Sequence, residues 1–127
     1  MSDATSVPQP GGAPSTATAT DRPAAVEFRN VTKVYGRGTP REYVAISDVS
    51  FTIPDVADHG EISSFLGPSG CGKSTVLRLV AGLEPQHPPT SGTVKVLGRE
   101  VVGPGADRGM VFQDYTSFDN RTVLDNV

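Results

Sequence analysis

The chain has 127 residues, 36% hydrophobic and 20% charged, values of an ordinary globular protein of about one domain. Eleven basic and fourteen acidic side chains are interspersed and leave a net charge of −3; no basic stripe of the kind that tracks nucleic acid or an anionic bilayer is visible. A single cysteine, Cys71, excludes an internal disulfide, and no window approaches the roughly 20 apolar residues of a membrane span.

The first 25 residues carry nineteen Ala, Ser, Thr, Pro or Gly and one Val, Val7. Such a stretch has too little apolar surface to offset the entropy of ordering it, so residues 1–25 are predicted to be a disordered tail. The tail also lacks the basic start and apolar run of a secretory signal, and a cytoplasmic protein is expected. The folded domain is placed at 26–127. Val26 and Phe28 alternate with Glu27 and Arg29, which predicts a half-buried strand running to Val34-Tyr35 and stopping at the turn-rich Gly36–Pro40. A second strand is predicted near Tyr43–Ile46, continued by the alternation of Val49, Phe51 and Ile53 up to Pro54. Glu61–Leu66 reads as a short strand leading into Gly67. From Lys73, the apolar residues Val76, Leu77, Val80 and Leu83 recur at helical spacing, with Gly82 as the stop. Thr93–Leu97 and Val101-Val102 are predicted to pair around Gly98, and Arg108–Phe112 to form another strand. Thr122–Asp125 has the spacing of a capping box that opens a helix.

Gly67-Pro68-Ser69-Gly70-Cys71-Gly72-Lys73-Ser74-Thr75 matches the phosphate-binding pattern G-x-x-x-x-G-K-S/T. Triphosphate oxygens crowd a loop, so the backbone must come close and offer successive N–H donors. Glycines at 67, 70 and 72 permit the unusual dihedrals and remove side-chain bulk. The helix that follows aims its free N–H groups and partial positive charge at the anion. Lys73 reaches the β- and γ-phosphates as a mobile point charge. The Ser74 hydroxyl suits a magnesium ligand, and Thr75 is a further phosphate donor. Chance alone produces the bare pattern in roughly one chain in two hundred of this length. Here it also sits between a predicted strand and a predicted helix, where the mechanism requires it. Cys71 reads as a tolerated small residue of the loop.

Three further features narrow the reading. Asn30-Val31-Thr32-Lys33-Val34-Tyr35 resembles the A-loop of ABC transporter ATPases, whose aromatic stacks on adenine, and the resemblance gives that role to Tyr35. Leu79–Leu83 followed by Ser91-Gly92-Thr93 resembles the same family's passage from helix to antiparallel subdomain. Met110-Val111-Phe112-Gln113 resembles its Q-loop, which implies that Gln113 ligates Mg2+ and contacts the attacking water. The resemblance covers Val26–Val127 and is nearest the nitrate/sulfonate/taurine group of bacterial importers, carried by Gly109–Tyr115 and Thr122–Val127. Where many members have an apolar pair after the Q-loop, this chain has Phe118-Asp119-Asn120-Arg121.

The resemblance implies a partial P-loop NTPase core of α/β class with an antiparallel β-subdomain, binding ATP and Mg2+. Its implied partners are transmembrane permease subunits and a second ATPase subunit in a homodimer, at the inner face of the membrane through the permease, with no nucleic acid. The family's LSGGQ segment, Asp-Glu strand and switch histidine are not found in the sequence, and His59 and His87 lie in polar or Pro-rich loops. Phosphoryl transfer depends on positioning and charge stabilisation, so the chain by itself is expected to bind nucleotide far better than it hydrolyses it. Two readings stand: the ATP-binding half of a solute importer's ATPase, and a non-catalytic nucleotide-binding module or degraded gene product. A third, an ABC-type ATPase of DNA repair or translation, would carry a basic face or coiled-coil insert, and neither is visible.

Overall fold

The computed structural model describes residues 22–114 and 117–126. The predicted tail lies outside the described residues as far as Asp21, as do Tyr115 and Val127 of the two importer-like runs. The elements are β1 (Val26–Tyr35), β2 (Tyr43–Ile53), α1 (Lys73–Ala81), β3 (Ser91–Val96), β4 (Arg99–Glu100) and α2 (Val123–Asn126). The strands form one antiparallel sheet of order β2-β1-β3-β4.

β1 does not keep strict alternation. Its buried residues are Phe28, Val31 and Lys33, and its register against β2 shifts after Phe28 and again after Val31. Asn30 and Asp48, on facing strands, have φ of 49° and 50°. Polar side chains close this bulge: the Asn30 amide donates to Ser50 Oγ (2.8 Å), Asn30 Nδ2 to Asp48 Oδ1 (2.9 Å), and the Asp48 amide to Thr32 Oγ1 (2.9 Å). The inserted residue lets Phe28 and Val31 both face inward. Lys33 then reaches the Pro88 carbonyl at 2.8 Å, and burial pushes its ammonium below the usual lysine value.

The core consists of Phe28, Val31, Ile46, Val76, Leu79, Val94, Val96 and Val101, with Val26, Val49, Phe51 and Val80 packed against it. Phe28 stacks on Phe51 at 4.6 Å between ring centroids, and Phe65 meets Phe51 edge-on at 5.5 Å. Helix α1 contributes Val76 and Leu79, while Leu77, part of the predicted apolar stripe, lies outward. Gly82 ends the helix in the left-handed region (φ 73°). Its amide donates to the Leu79 carbonyl and that of Leu83 to Arg78, the paired bonds of a Schellman cap. The predicted hairpin is present, with β4 placed at Arg99–Glu100; the Val101 amide continues the ladder to the Val94 carbonyl at 2.9 Å. Thr122 opens α2 as expected, its hydroxyl bonded to Asp125 Oδ2 at 2.6 Å and accepting from the Asp125 amide at 3.2 Å.

Two expected strands are absent. Glu61–Leu66 and Arg108–Phe112 run without ladder partners among the described residues, and Ile62 and Val111 are both 97% exposed. A strand exists only where its amides are paired, and apolar content reports burial rather than a neighbour. Phe65 packs the first segment against Phe51.

Helix start and sheet meet closely at Gly72, the residue before α1. Its φ is 100°, and a Cβ there would lie 2.5 Å from Ile46 Cγ2 and 3.0 Å from the Ala45 carbonyl oxygen. Gly72→Ala is therefore expected to lower stability by more than about 1 kcal/mol through left-handed strain alone, with a larger loss if β2 cannot yield. Leu79→Ala is expected to lose about 2–5 kcal/mol, because the side chain is fully buried. Chemical denaturation of each variant checks both values.

Candidate functional site

The loop Gly67–Gly72 connects the Phe65-anchored segment to α1 and turns twice through the left-handed region, at Gly70 (φ 82°) and Gly72 (φ 100°). No side chain caps the helix N-terminus. Between Ser69 and Thr75 only the Cys71 amide has an acceptor among the described residues, the Pro68 carbonyl at 3.4 Å. The amides of Ser69, Gly70, Gly72, Lys73, Ser74 and Thr75 are left as free donors. A helix leaves its first four N–H groups unsatisfied, and here the preceding loop adds its own.

These amides border an open cavity of about 450 Å³ lined by Tyr43, Ser69, Gly70, Gly72, Lys73, Ser74, Thr75 and Gln113. Among the described residues Lys73 is the one cation in the lining, and no carboxylate belongs to it. Free amides, a helix N-terminus and an uncompensated ammonium together favour an anion. Lys73 Nζ donates to the carbonyls of Gly67 and Pro68, both at 2.7 Å, and lies 3.6 Å from Cys71 Sγ. The lysine thus holds the loop's entry against its exit.

Most of the expected site residues converge. Ser69, Gly70, Gly72, Lys73, Ser74, Thr75 and Gln113 share one cavity, and Gly67 and Pro68 adjoin it through their bonds to Lys73. Cys71 is exposed beside them. Gln113 arrives from a segment, Met110–Asp114, that runs along α1 beside Ser74, Leu77 and Arg78. The Ser74 hydroxyl and Gln113 carbonyl are hard oxygen donors in the same lining, a donor type that fits Mg2+. Among the described residues no group of three His, Cys, Asp or Glu could hold a metal instead.

Tyr35 is not brought to this cavity. It ends β1 opposite Tyr43, is half-buried, and its hydroxyl is enclosed without a hydrogen-bond partner. The Lys33 ammonium lies 5.4 Å from its ring centroid. Among the described residues the aromatic that does line the cavity is Tyr43, whose hydroxyl donates to the Gly70 carbonyl at 3.4 Å. Sequence reasoning passed over Tyr43 as a strand residue. Its position at the very start of β2, just beyond the Gly-rich turn, was the available signal.

A family model described as ABC transporter matches residues 46–126. An uncharacterized ABC transporter ATP-binding protein of Methanocaldococcus jannaschii is 43% identical over 102 residues, 80% of this chain and 35% of that protein. The Fe(3+) ions import ATP-binding protein FbpC of Brucella suis is 45% identical over 109 residues, 84% of this chain and 28% of its own length. The nitrate import ATP-binding protein NrtD of a Synechocystis strain is 45% identical over 102 residues, 80% and 35% respectively. The chain spans about a third or less of the length of these curated relatives. The loop with its free amides thus coincides with a match over most of the folded residues, and the chain belongs to the ABC transporter family, as part of its P-loop NTPase domain with the antiparallel sheet attached.

Proposed function

We propose that this chain binds ATP with Mg2+ through the Gly67–Thr75 loop, as the nucleotide-binding part of the ATP-binding subunit of a solute importer. The observation that carries the reading is the row of acceptor-free amides from Ser69 to Thr75, set beside Lys73 on one cavity. The amides would take the phosphate oxygens, and Lys73 would exchange its two loop carbonyls for the β- and γ-phosphates. Ser74 and Gln113 would hold the magnesium ion, which supplies charge neutralisation at the phosphates. The cavity's volume of about 450 Å³ is within the usual range for small-molecule sites.

The import role is supported by the names of the relatives, which are import ATP-binding proteins for ferric ions and for nitrate. Those two match at the same 45% identity, so a nitrate-type solute has no advantage over iron on this ground. Permease subunits would choose the solute, and a second ATPase subunit would complete the nucleotide site. None of the described helices is long and apolar enough to cross a membrane, and placement at the inner membrane face would come through the permease.

A second reading, nucleotide binding without turnover, is favoured by one observation: among the described residues no carboxylate lines the cavity to orient an attacking water. For the chain by itself, ATP binding without steady-state phosphate release is expected. A coupled phosphate assay with turnover like that of an intact ATPase would contradict this.

Lys73→Ala is expected to weaken ATP binding about ten- to a hundred-fold. Each charge-assisted hydrogen bond lost contributes roughly 1.5–3 kcal/mol. Titration with a fluorescent ATP analogue, alongside a thermal melt to verify folding, measures the change. Unchanged affinity in a folded variant would overturn the role given to the loop.

A further inference from the structure

The start of β2 borders the phosphate cavity, where the Tyr43 hydroxyl meets the Gly70 carbonyl. The turn at residues 36–42 comes just before it and joins β1 to β2 across the Tyr35–Tyr43 pair that ends the ladder. This turn is closed by its own hydrogen bonds. The Thr39 amide and hydroxyl both donate to the Gly36 carbonyl, at 3.0 and 2.6 Å, and the Glu42 amide donates to the Thr39 carbonyl at 3.1 Å. A Cβ at Gly36 would lie 2.9 Å from the Arg41 carbonyl oxygen, so the chain entering Arg37 runs against the chain at Arg41.

Both arginines are exposed, and among the described residues neither belongs to an ion pair. The turn's one carboxylate, Glu42, accepts from the Gly38 amide at 2.8 Å. Two guanidiniums against one carboxylate leave the turn net positive, on a chain whose overall charge is −3. Arg41 stands two residues from Tyr43, at most about 7 Å along the backbone, which is comparable with the screening length of roughly 8 Å at physiological salt. Yet neither arginine lines the cavity. Charges that flank an anion site without entering it act on the ligand's approach, not on its residence.

We propose that the turn at 36–42 is an electrostatic guide for this site, in which Arg37 and Arg41 draw the triphosphate toward the loop without touching it once bound. The assignment rests on the nucleotide reading above. Guidance leaves a kinetic mark that a contact residue does not. On that reading Lys73 bonds to phosphate, and its loss shortens residence at any salt concentration. Loss of the two arginines slows arrival, and only where salt is dilute.

The experiment is stopped-flow association and dissociation of a fluorescent ATP analogue with Mg2+. It is run at ionic strengths of about 0.01 M and about 1 M, where the screening length is roughly 30 and 3 Å. The double variant Arg37→Gln/Arg41→Gln is expected to associate about three- to ten-fold more slowly at low salt. It should match the wild type at high salt and keep the wild-type dissociation rate throughout. Arg37→Lys/Arg41→Lys should associate as the wild type does, because guidance reads charge and not the guanidinium fork. Glu42→Gln, which retains an oxygen for the Gly38 amide, should associate faster than the wild type at low salt. The corresponding ADP analogue, with less charge to attract, should lose less than the ATP analogue in the Gln pair. Thermal melts verify that each variant is folded. A wild-type association rate in the Gln pair at low salt, a loss that persists at high salt, a faster dissociation, or a slow Lys pair would each overturn the assignment. If the wild type bound neither analogue, the nucleotide reading itself would fail and take this assignment with it.

Discussion

The site depends on backbone amides that have no acceptor within the chain. A loop that turned in the ordinary right-handed region would close on itself and satisfy its own N–H groups. Gly70 and Gly72 instead take the chain through the left-handed region, so from Ser69 into the first turn of α1 the donors remain available. That arrangement leaves hydrogen-bonding capacity unused and stores positive potential at the helix start. Lys73 partly relieves the loop by bonding to the Gly67 and Pro68 carbonyls. Its flexible stem makes this a displaceable arrangement, in contrast to the rigid fork of an arginine.

The rest of the fold holds the helix start in place. α1 is short, nine residues, and a helix of that length is not stable alone. It persists because Val76 and Leu79 insert against the sheet core formed by Phe28, Val31, Val94 and Val96. At Gly72 the backbone passes Ile46 and Ala45 of β2 without room for a side chain. The same glycine therefore serves two ends. It gives the loop its dihedral, and it brings β2 close enough for Tyr43, three residues before Ile46, to stand over the cavity.

The two segments that flank this scaffold show what pairing contributes. Ile62, Leu66 and Val111 are among the most exposed large apolar side chains among the described residues, and both segments lie next to the loop or its Gln113 wall. Apolar residues of this kind, on extended chain without a ladder, mark surface suited to further burial. Phe65 is the exception because it has found Phe51. An isolated aromatic contact can hold a segment near the sheet, but it cannot set a strand.

What the amino-acid sequence determined by itself was local. The spacing of Gly67, Gly70, Gly72 and Lys73, the Gly82 stop, the turn at Gly98 and the Thr122–Asp125 cap each concern residues within one or two turns of chain, where dihedral preference and short-range hydrogen bonds decide the outcome. Gln113 was reached only through the likeness of its segment to a family, since nothing local places a glutamine beside a helix forty residues away. Tertiary structure alone decided the matters that need distant partners. It set the bulge at Asn30, which waits on Asp48 and Ser50. It withheld a ladder from Glu61–Leu66 and Arg108–Phe112. It set Tyr43 in the cavity lining and left Tyr35 outside it, because the side of a strand end that faces a loop depends on how the sheet packs against the helix.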